Sequence, residues 1–228
     1  MKKTFDFHPS HGSVPTHVGI IPDGGRRWAH AHGCTLEEAY KKTRSILEAM
    51  VGLLLEKGVR VISIYLSSIQ NFRREPADLA VYVKLIESAF SNEITDIANL
   101  NDLKVVIAGN RLIIPSSLLS VVIAMEQSTS QNSRGQLNLL LAYDPLEEIL
   151  DAVKKSDNPE YFYNHLWINT PVDIVIRTGN AQLLSNFLPL QSGYARLFFF
   201  DKLFNDFTTA DLTKVLENFA KIERKFGE

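Results

Sequence analysis

Residues 17–28 read HVGIIPDGGRRW, and this stretch decides how the chain can fold. Its apolar run, VGII, has the length and composition of a buried strand, and Pro22 ends that run abruptly. Asp23, a glycine pair and an arginine pair follow at once. Glycines let backbone N–H groups approach an anion closely, arginines carry permanent positive charge, and a carboxylate can bind a metal. The stretch therefore predicts a buried strand that ends in an anion site. The alternative is an ordinary strand-to-helix turn with solvated arginines.

The composition is that of one globular domain. The chain has 228 residues, of which 45% are hydrophobic, and this is enough to bury a core. The 24 basic residues are matched by 26 acidic residues, so the net charge does not point to nucleic acid as a partner. Any anion site must therefore be local. We expect an N-terminal extension over residues 1–16 and a single domain over residues 17–228.

The sequence carries no signal for export or membrane insertion. Asp6, His8 and Pro9 interrupt the apolar run that a signal peptide needs, and no window is apolar enough to predict a membrane span. Cys34 is the single cysteine, so it cannot form an internal disulfide. The histidines are scattered without a matching carboxylate spacing and do not predict a metal site. These features predict a soluble cytoplasmic protein.

Strand-like and helix-like segments alternate along the chain. Apolar runs predict strands at residues 18–21, 59–66, 104–108, 137–141, 172–176 and 197–200. Helical spacing and start signals predict helices at residues 35–58, 76–98, 115–128, 145–154 and 209–226. Such alternation predicts an α/β fold in which helices cover both faces of a mostly parallel sheet.

Three polar clusters, at residues 23–28, 67–74 and 177–185, each follow a predicted strand. Because the carboxyl ends of parallel strands share one edge of the sheet, we expect the clusters to meet at that edge. The second cluster, SSIQNFRREP, suits a phosphate with an apolar tail, although alone it could be a solvated loop. Clustered arginines repel one another unless an anion balances them, and this favours a shared anion site.

Two long motifs identify a family. HVGIIPDGGRRWA and DIVIRTGNAQLLSNFLPLQSGYARLFFFDKLFNDF resemble the first and last signature stretches of the cis-prenyltransferase family, which includes undecaprenyl diphosphate synthase. The resemblance covers nearly the whole chain. It implies a central six-stranded parallel sheet surrounded by helices, a hydrophobic tunnel, a homodimer, and Mg2+-dependent chemistry on isoprenoid diphosphates.

The resemblance also implies roles for individual residues. Asp23 matches the aspartate that acts with Mg2+ on the allylic diphosphate, and Asn71 and Arg74 match further catalytic positions. Arg177 and Ser185 match residues that hold the second, acceptor diphosphate. With the polar and aromatic neighbours in the same clusters, the expected diphosphate-binding set is Gly24, Gly25, Arg26, Arg27, Trp28, Ser68, Phe72, Arg177 and Ser185.

Departures from the common pattern point to one branch of the family. Members that make long regular chains usually have asparagine at the position of Gly25 and histidine at that of Tyr40. The patterns PDG-x-RRW and IRTG-x-A, with Leu36 and Tyr40 between them, look like the branch that makes lavandulyl and cyclolavandulyl diphosphates. Enzymes of that branch join two dimethylallyl units head to middle, and some then cyclise the product.

Two changes depart from that branch as well. Leu183 replaces an acceptor-site arginine, and Arg196 replaces a glutamate that helps to hold Mg2+. Arg196 either restores the missing positive charge or repels the metal. Tyr82 and Phe90 fit either a bulky tunnel lining, which would mean short products, or simple core packing. Asp201, Asn205 and Asp206 are expected to cap the last helix.

Four functions remain open at this point. The first is irregular coupling of short allylic diphosphates, with dimethylallyl, geranyl or farnesyl diphosphate as substrates. The second is a terpene synthase that ionises a single diphosphate, which the loss of an arginine at Leu183 favours. The others are a regular short-chain cis-prenyltransferase and a non-catalytic partner subunit. Retention of Asp23 argues against the last, because partners of that kind typically lose it.

Overall fold

The structure is a computed structural model that describes residues 13–73 and 75–222. The strands are β1 His17–Ile21, β2 Val61–Tyr65, β3 Leu103–Ala108, β4 Gly135–Leu140, β5 Ile174–Arg177 and β6 Arg196–Phe199. The α-helices are α1 Gly25–His32, α2 Leu36–Glu56, α3 Pro76–Ser88, α4 Thr95–Leu100, α5 Ser116–Ser128, α6 Pro145–Lys155 and α7 Thr209–Ala220. Short 3-10 turns span Ile69–Arg73, Pro159–His165 and Phe204–Asp206, and a π-helical turn spans Ala89–Ile94. The predicted end of the closing helix, Phe226, lies outside the described residues.

All six strands are parallel and lie in the order β3-β4-β2-β1-β5-β6. The predicted parallel α/β fold is therefore confirmed. β2, the next strand in the chain, lies on one side of β1 in the sheet. β5 lies on the other side of β1 and is followed outward by β6. The sheet thus has a topological switch point between β1 and β5, which is where ligands bind in open α/β folds.

Packing on both faces of β1 explains its continuous apolar sequence. Every residue of β1 is buried. Val18 and Ile20 belong to the larger core cluster, and Ile21 belongs to a second cluster that contains Phe187. A Cβ atom at Gly19 would lie 2.5 Å from the ring of Phe187, so only glycine lets that ring pack against the strand. Glycine at this position therefore serves packing.

Helix starts follow their sequence signals closely. Thr35 caps α2 in a reciprocal capping box with Glu38, and Asp144 caps α6, whose first residue is Pro145. The single long helix predicted over residues 76–98 is instead α3, a π-helical turn and α4 in succession. The π turn adds a residue to the helical repeat, and such insertions leave little trace in hydrophobic spacing.

Among the described residues, no helix is both long and apolar enough to cross a membrane. The division into residues 1–16 and 17–228 stays a prediction.

Candidate active site

The three polar clusters meet at the carboxyl edge of the sheet, at the mouth of a cavity of about 1130 Å³. Asp23 follows β1, Asn71 lies in the 3-10 turn after β2, and Arg177 ends β5. Parallel strand direction brings them to one edge, as the sequence predicted. The predicted site residues that line the cavity are Asp23, Gly24, Gly25, Arg26, Arg27, Ser68, Asn71, Arg177 and Ser185.

Two loops are joined at the switch point by reciprocal hydrogen bonds. The Asp23 amide donates to Thr178 Oγ1 at 3.1 Å, and the Thr178 hydroxyl donates to the Asp23 carbonyl at 3.0 Å. Gly179 follows with φ of +87°, and a Cβ atom there would lie 2.6 Å from Arg27 Nη2. Only glycine combines this conformation with so close an approach. These contacts therefore hold the backbone at Asp23 against the backbone at Thr178 and Gly179.

Asp23 is the carboxylate that balances two guanidinium groups. Its Oδ1 accepts from Arg27 Nη2 at 3.1 Å and its Oδ2 accepts from Arg177 Nη2 at 3.1 Å. Arg26 lines the same mouth, so the guanidinium groups outnumber this carboxylate. Asp144 also lines the cavity, but its side chain accepts from the Leu146 and Glu147 amides as the cap of α6. The mouth therefore has an excess of positive charge that suits an anion.

Arg177 is the most enclosed of these groups, with a side chain that is 8% exposed. Its Nη1 donates to Ser185 Oγ and to the Leu183 carbonyl, both at 2.7 Å. Its Nε is buried and has no hydrogen-bond partner among the described residues. Buried N–H groups normally donate to a hydrogen-bond acceptor. The Nε–H of Arg177 therefore favours a site in which a ligand oxygen, such as that of a phosphate, accepts from it.

The amino end of α1 points at the same mouth. Gly24 precedes α1 with φ of +111°, and no side chain in the described part of the chain caps the helix there. The first amides of α1 thus keep donors for an anion, and the helix dipole adds partial positive charge. A Cβ atom at Gly24 would lie 2.7 Å from the Leu203 side chain, so the turn requires glycine.

The second cluster is organised by Asn71, whose Oδ1 accepts from the Ser68 amide at 2.9 Å and from its hydroxyl at 3.1 Å. Tyr65, at the end of β2, donates its hydroxyl proton to the Ser185 carbonyl at 3.0 Å. Burial raises the pKa of Tyr65 to about 12, so this hydroxyl remains a donor at neutral pH. Tyr65 therefore joins the second and third clusters.

Several predicted residues are placed elsewhere. The Trp28 ring stacks on His32, and its Nε1 donates to Asp206 at 2.8 Å, away from the cavity. Phe72 packs edge-on against Tyr82 at 6.0 Å between ring centroids. Arg74 lies outside the described residues. Trp28 and Phe72 therefore support the walls of the site and are not part of the described cavity lining.

The two unusual substitutions also lie away from the cavity lining. The Leu183 side chain is 54% exposed, and its carbonyl holds Arg177. Arg196 begins β6, where it pairs with Ile174 at the amino end of β5. Parallel strands place that end opposite to the mouth, so within one chain Arg196 neither restores charge at the acceptor site nor faces Asp23.

The prediction that Asp201, Asn205 and Asp206 cap the last helix is wrong. Thr208 caps α7 in a capping box with Asp211. Asn205 Nδ2 donates to the Ala39 carbonyl at 2.7 Å, and this hydrogen bond joins the 3-10 turn Phe204–Asp206 to α2. Sequence spacing alone could not separate these roles, because several candidate cap residues lie side by side before α7.

Tyr143, which the motifs did not single out, lines the cavity beneath the mouth and donates to Glu148 Oε2 at 2.5 Å. Burial raises the pKa of Glu148, which also accepts from the Ile168 amide and from Gln191. The sequence signal that could have identified Tyr143 as a cavity residue is its position directly after the apolar strand residues LNLLLA. This buried pair fixes the β4–α6 loop under the site.

The described residues contain no group of three or more His, Cys, Asp and Glu side chains that could hold a metal without further ligands. A single carboxylate at the mouth still fits Mg2+, because Mg2+ in phosphate-binding enzymes is usually held by one or two carboxylates, water and the phosphates of the substrate. Asp23 is the carboxylate in the required place, and its side chain is 35% exposed.

Comparison with known proteins defines the class. The family model described as "Putative undecaprenyl diphosphate synthase" matches residues 21–227. The chain is 32% identical over 230 residues to tritrans,polycis-undecaprenyl-diphosphate synthase (geranylgeranyl-diphosphate specific) of Thermoplasma acidophilum, a match that covers 93% of this chain and 89% of that protein. It is 31% identical over 227 residues to an isoprenyl transferase of Thermotoga maritima, with 94% and 97% covered.

Solved structures agree with this assignment. The crystal structure of lavandulyl diphosphate synthase from Lavandula x intermedia in complex with dimethylallyl diphosphate superimposes with a TM-score of 0.86 and 26% identity, over 95% of this chain and 99% of that one. A probable undecaprenyl diphosphate synthase from Campylobacter jejuni shares the fold, with a TM-score of 0.81 and 22% identity. The chain therefore belongs to the undecaprenyl diphosphate synthase-like family of cis-prenyltransferases, and it is a prenyltransferase of the isoprenyl diphosphate synthase type.

Proposed function

We propose that this prenyltransferase joins two short allylic diphosphates head to middle, with dimethylallyl diphosphate as the first choice, to give a branched or cyclised ten-carbon diphosphate. The observation that carries the proposal is the pairing of two anion-binding sets across one carboxylate. Arg27 and the amino end of α1 lie on one side of Asp23, and Arg177 with Ser185 lies on the other. One set would hold the donor diphosphate and the other the acceptor diphosphate.

The chemistry requires charge stabilisation and exclusion of water. The C–O bond of the donor breaks with its electron pair going to the diphosphate, and the internal double bond of the acceptor then attacks the allylic cation. The new cation loses a proton to the released diphosphate, either directly or after ring closure, to give the branched or cyclic product. Arg27 and the first amides of α1 would stabilise the departing diphosphate, as charges prearranged for a developing anion do. Apolar side chains such as Ile64 and Leu139 line the cavity and would keep water from the cation. Mg2+, held by Asp23 together with phosphate oxygens, would supply further charge stabilisation of the leaving group.

The choice of irregular coupling rests on Tyr40 and on the structural likeness to lavandulyl diphosphate synthase. Tyr40 lines the cavity on α2, where long-chain members of the family usually carry a histidine. The competing function is regular chain elongation, and two observations favour it: the names of the sequence relatives and the size of the cavity, which exceeds the usual range for small ligands.

A product assay decides between these functions. Purified protein is incubated with Mg2+ and dimethylallyl diphosphate as the sole substrate, and parallel reactions contain geranyl or farnesyl diphosphate, each with and without isopentenyl diphosphate. Products are identified by chromatography and mass. We expect a branched or cyclic ten-carbon diphosphate, which disappears when a chelator is added. A linear polyprenyl product made only with isopentenyl diphosphate would establish regular elongation. A hydrocarbon or alcohol from one longer diphosphate would establish a terpene synthase, and no product from any combination would indicate a non-catalytic subunit.

We also propose a homodimer. Leu146, Leu150 and Val153 are spaced four and three residues apart on α6 and are 64%, 52% and 43% exposed, so they form an apolar stripe on the surface. β6 is the edge strand of the sheet and exposes Leu197, which is 44% accessible. Light scattering of the wild-type protein should give twice the chain mass, and Leu150→Glu should give the single-chain mass if the stripe is the interface.

A further inference from the structure

The third polar cluster contains a segment with an unusual backbone conformation. Ser185, Asn186 and Leu188 have φ of +50°, +62° and +39°, and none of them is a glycine. A left-handed conformation is unfavourable for a residue with a Cβ atom, and it persists only where surrounding contacts hold it. The contacts of Ser185 therefore decide where its side chain lies.

Two residues hold Ser185 by hydrogen bonds. Its hydroxyl accepts from Arg177 Nη1 at 2.7 Å, and its carbonyl accepts from the Tyr65 hydroxyl at 3.0 Å. The bond from Tyr65 acts on the main chain of Ser185 and does not involve the serine hydroxyl. The phenol can therefore fix the backbone while the serine hydroxyl stays at Arg177.

Tyr65 is rigidly placed for this contact. It is the last residue of β2 and pairs with Leu140 of β4. Its ring packs against the rings of Phe187 and Tyr143, at 5.7 Å and 6.3 Å between ring centroids. The Phe187 ring is itself buried against Gly19 of β1. Groups on strands hold a site more precisely than groups on loops, so the Tyr65 hydroxyl is a fixed donor.

We infer that Tyr65 is a positioning residue of the Arg177–Ser185 set, in which its hydroxyl holds the Ser185 backbone so that Ser185 and Arg177 bind a diphosphate together. The inference rests on the proposed function and names a further residue of the same site. Tyr65, Arg177 and Ser185 all line the cavity. Without the phenol hydroxyl, Ser185 can leave its left-handed conformation, and Arg177 Nη1 then keeps only the Leu183 carbonyl.

Calorimetric titration with inorganic pyrophosphate in the presence of Mg2+ tests the inference without depending on turnover. The binding that is lost in Arg177→Ala identifies the part that belongs to this set. Tyr65→Phe keeps the ring and should weaken that part about fivefold, a size that loss of a hydrogen bond between neutral groups commonly gives. Ser185→Ala should weaken it at least about tenfold, because its hydrogen bond is to a charged group.

A double-mutant cycle shows whether Tyr65 acts through Ser185. In the Ser185→Ala background, Tyr65→Phe should weaken pyrophosphate binding by less than about twofold, because the hydroxyl that the phenol positions is already gone. With prenyl diphosphate substrates, Tyr65→Phe should raise KM and leave kcat nearly unchanged, as loss of uniform binding does.

Tyr82→Phe is the matched control. Tyr82 also lines the cavity, and its hydroxyl also donates to a main-chain carbonyl, that of Leu66 at 3.5 Å. Removal of this hydroxyl should leave the pyrophosphate affinity unchanged. Thermal melts confirm that each variant is folded.

An equal loss of affinity from Tyr65→Phe with and without Ser185→Ala would overturn the inference. The phenol would then act on the ligand directly or through Ser68, whose side chain is also a hydrogen-bond partner of Tyr65. Unchanged affinity in the folded Tyr65→Phe variant, or an equal loss in Tyr82→Phe, would also overturn it and leave the proposed function intact. If wild type turns over no prenyl diphosphate, the proposed function fails, and the pyrophosphate cycle still decides the role of Tyr65.

Discussion

Arg177 Nη2 lies 3.1 Å from Asp23 Oδ2, although 154 positions separate the two residues in the chain. The pair spans the switch point of the sheet, since Asp23 follows β1 and Arg177 ends β5. The carboxylate balances the guanidinium. Under the proposed function, a diphosphate that binds here would compete with Asp23 for Arg177, and the carboxylate would then be available to Mg2+. This relationship motivates the first two predictions.

Asp23→Ala should lower kcat/KM by at least about 100-fold, because loss of a key electrostatic group in an active site typically costs that much. The main-chain hydrogen bonds to Thr178 do not involve the carboxylate, so the fold should persist. Steady-state kinetics and circular dichroism measure both effects. Asp201→Ala is the matched control, because Asp201 is exposed and lies outside the cavity lining in the described structure, and it should change the rate less than twofold. A rate above about a tenth of wild type in Asp23→Ala would remove Asp23 from the mechanism.

Arg177→Ala should raise the apparent KM by roughly 10- to 100-fold, since a hydrogen bond to a charged group contributes about 1.5–3 kcal/mol. The variant loses both the charge and the contacts to Ser185 and Leu183. Calorimetric titration with inorganic pyrophosphate measures the affinity directly. Arg60→Ala, at the opposite end of the sheet, serves as the control. Equal pyrophosphate affinity in wild type and Arg177→Ala would show that the Arg177 cluster is structural.

Gly179→Ala should lower both stability and activity. A left-handed conformation costs an ordinary residue roughly 1–2 kcal/mol, and the new Cβ atom would also meet Arg27 Nη2 and the Asp23 side chain. Gly33→Ala carries a similar backbone strain, at φ of +61°, but its new Cβ atom would have no neighbouring atom within 4 Å. This variant should therefore lose stability and keep its activity. Urea unfolding and kcat/KM for both variants make the comparison. If Gly33→Ala loses as much activity as Gly179→Ala, crowding at Asp23 is not the cause.

His17 should make stability fall as the pH falls. Burial lowers the pKa of His17 to about 4, and its ring nitrogens contact Ser63 Oγ at 2.7 Å and the Thr170 carbonyl at 3.1 Å. Between pH 4 and 6.5 the unfolded chain binds a proton at this histidine that the folded chain does not bind. Acidification from pH 7 to pH 4 should therefore cost about 3 kcal/mol at this residue.

Urea unfolding at several pH values tests this dependence. His17→Gln should show a shallower loss of unfolding free energy across that window than wild type. His165→Gln is the control, because His165 is exposed and should leave the slope unchanged. Parallel curves for wild type and His17→Gln would contradict the prediction.

The sequence alone determined the elements whose signals are local. The run VGII, the Thr35 and Glu38 pair, and the prolines at 76 and 145 act on their nearest neighbours in the chain, so strand and helix positions follow from them. The edge of the sheet that carries the site was also predictable, because parallel strands send their carboxyl ends to one side. Long-range packing decided the rest. The strand order β3-β4-β2-β1-β5-β6 places Asp23 beside Arg177 and sends Arg196 to the far end of the sheet. Trp28 donates a hydrogen bond to Asp206, and Arg44 forms an ion pair with Glu93. These partners are distant in the chain and are selected by packing and charge in three dimensions, so local sequence spacing does not encode them.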